Sequence, residues 1–506
     1  MVYGFRRPRL RGDGSALIRS ATRVAGVIAG GVALSAGAAF AALTRVVSPI
    51  DAVGSEVIDR APRWLKELAI SWFGTGDKLA LRIGIVTILA IVAALVGPYR
   101  RASLLAFGAF GVIGALASVH RPNATIGSAV PSLIGATLGA VILHRWLRPR
   151  PIEVPSPSQV PLGWDRRRFL ATSTVATTAA VVAGVVARRA DQPAPPPAVD
   201  LASRLTVPET ATVSPATPFI TPNRDYYRID TALSFPRIDL GRWKCTIDGL
   251  VDHPFSFGYD ELLAMPRVER VITLCCVSNE VGGEYIGNAV WQGVPLASLL
   301  ERAGVQDQAE QVFSTSLDGW TCGFPVAAAL DGRDAMVAIG MNGEPLPLEH
   351  GFPARLVVPG LYGYVSATKW LSRIELTRWD REGYWVPRGW AQLAPVKTQS
   401  RIDVPREGQR LSTGTQKIAG VAWAQHRGIE AVEVKVDDGP WQPARLATDV
   451  SDDAWRQWVF DWDATTGGHT IAVRATDKAG TTQTDERTPV APDGATGHHT
   501  ISVSVG

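Results

Sequence analysis

Apolar runs of about twenty residues, the length needed to span a hydrocarbon layer, constrain this chain more than any other feature. They occur near residues 22–43, 79–97, 103–119, 124–143 and 169–187. All are rich in Gly, Ala, Val and Leu and nearly free of charge, so they predict an all-α transmembrane region rather than the buried helices of a globular core. Lys and Arg cluster in "RRPRLRG" at the start, in "YRR" after the second run, and from "HRWLRPR" to "WDRRR" after the fourth. If every run crosses, these clusters share one side, which the positive-inside bias makes cytoplasmic. The expectation is a multi-pass cell-membrane protein with its second half on the extracytoplasmic side. Between the first two runs, "WLKELAISWF" reads as an amphipathic helix lying in the interface, with its tryptophans at headgroup depth.

The fifth run is preceded by Asp165-Arg166-Arg167-Arg168-Phe169-Leu170. This stretch resembles a twin-arginine export signal, a route that carries folded and often cofactor-loaded cargo. The proline-rich "DQPAPPPAVD" that follows reads as a stiff, extended linker. The predicted organisation is a four-span region over 1–165, a signal-like fifth span with linker over 166–198, a catalytic domain over 199–392 and a β-sandwich over 393–506. The formal net charge is only +4, and the basic clusters lie beside apolar runs, which argues against nucleic acid as a partner.

Residues 200 to about 390 mix short Val/Ile/Leu strands with Gly/Pro turns and predict an α+β domain. Beyond 395, "GVAWA", "IEAVEVKVDDGPW", "WVFDW" and "HTIAVRATDKAG" are alternating strands at sandwich spacing. The chain has four cysteines, at 245, 275, 276 and 322, with no CxxC spacing, so neither a disulfide scaffold nor a zinc site is indicated. Cys275 and Cys276 end the apolar run "VERVITLCC" just before the polar, glycine-rich "VSNEVGG". A thiolate at that boundary is placed either to bind a soft metal or to pack as a small hydrophobe. In a strand the two side chains point to opposite faces, so one can reach a metal while the other packs.

The run Thr273-Leu274-Cys275-Cys276-Val277-Ser278-Asn279, followed by Gly287-Asn288 and Trp291-x-Gly-Val-Pro-Leu, resembles the signature of the sulfite oxidase family of molybdopterin enzymes. Two further stretches match that family, "ITPNRDYYRIDT" at 220–231 and "HGFPARLVVPGLYGYVSATKWL" at 350–371. The resemblance covers about 200–500 and makes the C-terminal domain an immunoglobulin-like sandwich of the dimerisation type, with a homodimer as a candidate assembly. It implies a molybdopterin cofactor (molybdenum cofactor), with Cys276 as metal ligand and catalytic residue and Cys275 as its packing neighbour. It also implies cofactor contacts from Asn223, Tyr226, Tyr227, Ser316, His350, Arg355, Ser366, Thr368 and Lys369.

The chain departs from the family where sulfite would bind. Glu280-Val281 stand where an arginine is expected, and Trp320 where a tyrosine is. His120 and His144 lie at predicted span ends, so a haem within the bilayer is not expected, and electrons should pass to a separate carrier protein or a quinone-linked partner. The expected activity is oxygen-atom transfer to or from a small S- or N-compound. The alternatives are a true sulfite dehydrogenase and a membrane-tethered binding protein without catalysis.

Overall fold

The computed structural model describes residues 13–73, 76–122, 124–147, 166–190, 196–197 and 199–506. The N-terminal basic cluster, residues 148–165 and most of the proline-rich linker lie outside the described residues, and so do the side chains of Arg166, Arg167 and Arg168. The chain divides into two units, Met1–Pro193 with Thr231–Arg237, and Ala194–Asp230 with Ile238–Gly506.

The first unit is helical: α1 (Asp13–Thr44), α2 (Pro49–Arg60), α3 (Arg63–Phe73), α4 (Asp77–Val96), α5 (Arg100–Val119), α6 (Val130–Trp146) and α7 (Arg166–Ala190). Among the described residues four stretches are long and apolar enough to cross a membrane: Ser20–Thr44, Asp77–Val96, Arg100–Val119 and Ile126–Trp146. The fifth predicted run lies in α7, where Ser173–Val185 is an apolar stretch among the described side chains. On α3, Trp64 and Trp72 are exposed on one helix face. This matches the amphipathic pattern of the segment.

Apolar burial gives helices in lipid little reason to associate, so small residues that let backbones approach supply the packing. A methyl group added at Gly135 of α6 would run into the Ala33 carbonyl of α1, and one at Gly139 would come within 2.9 Å of the Ala29 carbonyl. Gly26 of α1 faces the Ala93 carbonyl of α4 in the same way. Arg82 of α4 pairs with Asp51 at 2.9 Å and donates to the Leu233 carbonyl at 2.8 Å. Ala232 and Leu233 are buried here. The heptapeptide Thr231–Arg237, expected in the catalytic domain, therefore belongs to the helical unit.

The second unit begins with ten strands: β1 (Lys244–Gly249), β2 (Phe255–Gly258), β3 (Val268–Cys275), β4 (Ile286–Pro295), β5 (Gln311–Ser316), β6 (Thr321–Pro325), β7 (Met336–Met341), β8 (Glu344–Pro345), β9 (Arg355–Val357) and β10 (Leu371–Thr377). They form one sheet in the order β2-β1-β10-β5-β6 and a second in the order β3-β4-β7-β8, with β9 also paired to β7. Between strands run α8 (Tyr259–Ala264) and α9 (Leu296–Ala303). Leu296, Leu299, Leu300 and Ala303 recur at helical spacing and are all buried, and α9 ends at Gly304 with φ +67, a left-handed conformation that favours glycine. Trp291, Ile272 and Leu296 are fully buried in the core of this domain.

The remaining strands are β11 (Gln399–Val404), β12 (Arg410–Leu411), β13 (Gly414–Trp423), β14 (Ile429–Val436), β15 (Gln442–Pro443), β16 (Arg445–Leu446), β17 (Arg456–Ala464), β18 (Gly467–Asp477) and β19 (His499–Val505). They make two sheets, β11-β13-β17-β16 and β12-β19-β18-β14-β15. Ile418 and Trp458 from the first meet Val432, Ile471 and Ile501 from the second in one core, as the alternating pattern predicts for a sandwich.

Gly135→Leu should force α1 and α6 apart and cost about 1–3 kcal/mol or more, as overpacking does. The check is thermal stability of the detergent-solubilised chain, which should fall by several degrees, while leucine at Gly31, which has no atom within 4 Å of an added Cβ, should be tolerated.

Candidate functional site

β3 and β4 pair antiparallel from Val268↔Gly293 to Cys275↔Ile286, so their connection begins at Cys276. The Cys276 N–H donates to Tyr285 O at 2.9 Å, and the Asn279 N–H donates to Cys276 O at 3.0 Å. Asn279 Oδ1 accepts the Tyr285 N–H at 2.8 Å and closes the loop. Two glycines make this closure sterically feasible. A Cβ at Gly283 would come within 2.7 Å of Asn279 Oδ1, and one at Gly282, which has φ +80, would strike the His499 ring. The sandwich grips the loop from outside: Arg401 Nη1 donates to Gly283 O at 2.9 Å while its Nε bonds Asp403 at 2.6 Å.

The two cysteines behave differently. Cys275 is 2% exposed and packs with Val271, Val277 and Ile286, whereas Cys276 is 9% exposed and heads the loop. Burial raises the thiol pKa of both. At Cys276 the N–H and hydroxyl of Ser278 oppose that effect by favouring the thiolate.

Opposite this loop stands an aromatic and cationic cradle. It starts at the 3-10 turn Asn223–Asp225, after which the rings of Tyr226 and Tyr227 stack at 5.3 Å. Tyr226 OH donates to Gly287 O at 3.0 Å, and its ring meets Trp291 and His350 edge-on at 5.9 and 5.4 Å. Burial holds both tyrosine hydroxyls protonated, and for Tyr227 the neighbouring Tyr226, Cys276 and Cys275 add to the effect. Asn223 Oδ1 accepts from Asn342 at 2.8 Å, and its backbone carbonyl accepts from His350 Nε2 at 3.1 Å. That bond makes Nε2 the protonated nitrogen, an inference from the hydrogen-bond network.

His350 is 3% exposed, and burial lowers its pKa to about 4, helped by the charges of Arg355, Lys369 and Arg228. Arg355 at the start of β9 is 6% exposed and donates to the carbonyls of His350, Leu356 and Ala367, at 3.1, 3.3 and 3.5 Å. Its guanidinium lies 5.1 Å from the Trp291 ring centroid, and among the described residues no carboxylate pairs with it. A buried cation held only by carbonyls and a ring is a site for an anion.

Asn223, Tyr226, Tyr227, His350 and Arg355 thus share one cradle, and Tyr227 brings it near Cys276, whose charge acts on its hydroxyl. Lys369 joins it with its charge spent: Nζ pairs with the buried Asp230 at 2.6 Å and donates to Glu349 O at 3.0 Å, while burial lowers its pKa to about 8. Ser316 caps the turn above Asp318, a buried carboxyl whose pKa is raised chiefly by desolvation. Two predicted contacts turn their hydroxyls elsewhere. Ser366 Oγ donates to Tyr362 O at 3.1 Å, and Thr368 Oγ1 lies 2.7 Å from Ser314 Oγ and 3.1 Å from Cys322 Sγ.

Sequence reasoning missed Asp230 and Arg228, which bond each other at 2.9 Å, and gave no role to the signature's Asn279, whose Nδ2 is buried without a partner. The first two lie within the matched "NRDYYRID", where an acid between a cation and apolar residues is the available signal. Arg224 is 86% exposed at its side chain and pairs with Asp225, so it points to solvent.

A family profile described as "Oxidoreductase molybdopterin binding domain" matches residues 232–385. The chain is 38% identical over 152 residues to "Uncharacterized oxidoreductase YuiH" of Bacillus subtilis (strain 168), covering 30% of this chain and 74% of that protein. It is 29% identical over 321 residues to "Sulfite oxidase, mitochondrial" of Homo sapiens, covering 54% of this chain and 58% of that protein. Among solved structures, the sulfane dehydrogenase SoxCD from Paracoccus pantotrophus aligns with a TM-score of 0.48 at 26% identity, over 55% of this chain and 79% of that one.

His350 sets a pH dependence. Unfolded, its pKa is about 6.5; folded, it stays neutral down to about 4. The folded pKa is depressed, so this contribution to stability is present above the unfolded pKa and is lost as pH falls from 6.5 towards 4, amounting to about 3 kcal/mol. Melting of the chain against pH should therefore show His350→Gln, which keeps a donor for Asn223 O, losing less stability than the unmodified protein across that window.

Proposed function

The chain belongs to the sulfite oxidase family of molybdopterin-dependent oxidoreductases, and we propose that it acts as a membrane-anchored, extracytoplasmic enzyme transferring an oxygen atom to or from a small, uncharged S- or N-compound. The observation that carries this is the convergence of Cys276, the Tyr226–Tyr227 stack and the buried, carboxylate-free Arg355 on one cradle. These residues fit the molybdenum cofactor that the family implies. Once bound, the cofactor supplies the two-electron redox change and oxygen exchange that protein side chains cannot.

Each residue has a separate task. Cys276 offers its sulfur at the mouth of the loop, with Ser278 favouring the thiolate. Arg355 would offer a fork to the cofactor's phosphate, and Tyr226, Tyr227 and neutral His350 would pack against its ring system. Asn223 holds His350 in place through its carbonyl. Lys369 and Arg228, both bonded to Asp230, add positive field without a bare charge.

A neutral substrate is favoured by what surrounds the loop. Glu280 is exposed on it, Arg224 faces solvent, and Arg401 is already paired with Asp403. On that loop an anion would meet an acid and, among these described residues, no bare arginine. Electrons are exchanged singly with a separate carrier protein or quinone-linked partner, leaving when the substrate is oxidised and arriving when it is reduced. The four apolar helices hold the chain at the membrane, the Arg166–Arg168 preface serves twin-arginine export, and the sandwich is an immunoglobulin-like module that pairs two copies.

The full chain, purified in detergent from cells making active cofactor, should carry one molybdenum and respond to some member of a panel of sulfite, methionine sulfoxide, N-oxides and chlorate in anaerobic titrations. Absence of molybdenum would favour a binding protein. Cys276→Ser should abolish turnover and the thiolate-to-molybdenum charge-transfer band, whereas Cys275→Ala should cost only packing energy, about 1–2 kcal/mol. If Cys275→Ala is instead the inactive variant, the ligand is assigned to the wrong cysteine.

Sulfite should be a poor substrate with a high KM, and Glu280→Arg should improve kcat/KM for it. Saturation of the unmodified protein by micromolar sulfite would make it a true sulfite dehydrogenase.

A further inference from the structure

Asn279 carries an unused donor three residues beyond Cys276. The residue is 3% exposed, and its Nδ2 is buried with no hydrogen-bond partner. The other half of the amide is committed, because Oδ1 accepts the Tyr285 N–H at 2.8 Å. That bond fixes the orientation of the side chain, since a flipped amide would set two N–H donors against each other.

The surrounding loop leaves little freedom. The Asn279 N–H holds Cys276 O at 3.0 Å, and the Cys276 N–H holds Tyr285 O at 2.9 Å, so the amide is tied to backbone on both sides of the cysteine. Gly283 presses close to Oδ1, where any Cβ would come within 2.7 Å. Loop closure uses only the acceptor, and an aspartate would provide that equally well. The NH2 group has no task within the loop, and a buried donor without a partner is costly enough to need a reason.

We propose that Asn279 Nδ2 donates to an acceptor atom of the molybdenum centre held beside Cys276 and thereby sets its reduction potential. The inference rests on Cys276 being the protein ligand. A donor aimed at a metal centre stabilises the reduced, more electron-rich state and so raises the potential, as hydrogen bonds to ligand atoms do at other metal sites. Asn279 would thus couple loop closure to redox tuning, with one amide serving both.

The test is a redox titration of the full-length holoenzyme in detergent, following the Mo(V) signal by electron paramagnetic resonance. Asn279→Asp keeps the acceptor for Tyr285 and replaces the donor with a carboxylate. It should lower the Mo(VI)/Mo(V) midpoint potential, and the shift should shrink at low pH, where a protonated carboxyl can donate again. Asn279→Leu guards against failure of the charged variant to load metal. It should lower the potential by less and, unlike Asn279→Asp, should speed hydrogen exchange at the Tyr285 amide. Potentials equal to that of the unmodified protein in both variants would overturn the inference. Cys276→Ser separates the two readings. If it keeps the charge-transfer band, the ligand assignment fails; if it loses the band while the Asn279 potentials are unchanged, the Asn279 inference fails alone.

Discussion

The position of Cys276 depends on how the polar groups of Thr273, three residues upstream, are satisfied away from water. Its N–H donates to Asp453 O at 2.9 Å, and its carbonyl accepts from Gln425 Nε2 at 3.0 Å. Its hydroxyl donates to Asn288 Oδ1 at 2.9 Å and accepts the Trp455 N–H at 2.7 Å. Asn288 and Trp455 both donate onward to Phe219 O, each at 2.9 Å. Three distant segments are thus pinned to one strand residue, and because a buried polar group left unpaired costs about 1–3 kcal/mol, none can shift without penalty. The sandwich is therefore part of the site's framework as well as a trailing domain.

Charge is arranged in the cradle by the same economy. Lys369 and Arg228 converge on Asp230, so one carboxylate offsets one of the two charges and both cations are paired. Arg355 is not, and an unpaired buried guanidinium is tolerated only where an anion comes to it or carbonyls partly substitute. The neutral state of His350 follows from having these cations on its sides and no water to stabilise another. The cradle is prepared for one strongly anionic group at Arg355 and for flat, uncharged surfaces elsewhere.

In the helical unit the organising quantity is distance rather than charge. Gly26, Gly37, Gly135 and Gly139 bring helix backbones into contact where any larger residue would hold them apart. The Arg82–Asp51 pair, with Leu233 O as third partner, is the polar exception, and an ionisable residue on an apolar helix is affordable only with such partners.

Much was legible in the sequence because it depends on local spacing. Runs of apolar residues make helices whatever surrounds them, alternating strands make a sandwich, and the end of "VERVITLCC" at a Ser-Asn-Gly loop puts one cysteine in the core and the next at its edge. The matched stretches also named most of the residues that line the cradle. Tertiary structure alone decided what those residues do with their polar atoms. Lys369 meets Asp230 across 139 positions, Thr368 turns its hydroxyl to Ser314 across 54, and Arg401 reaches Gly283 across 118. Neither hydropathy nor motif spacing carries information about such pairs, because a side chain's partner is set by which strands lie beside each other and in what register. Thr231–Arg237 went to the helical unit for a related reason: burial is settled by packing, which a one-dimensional pattern only approximates.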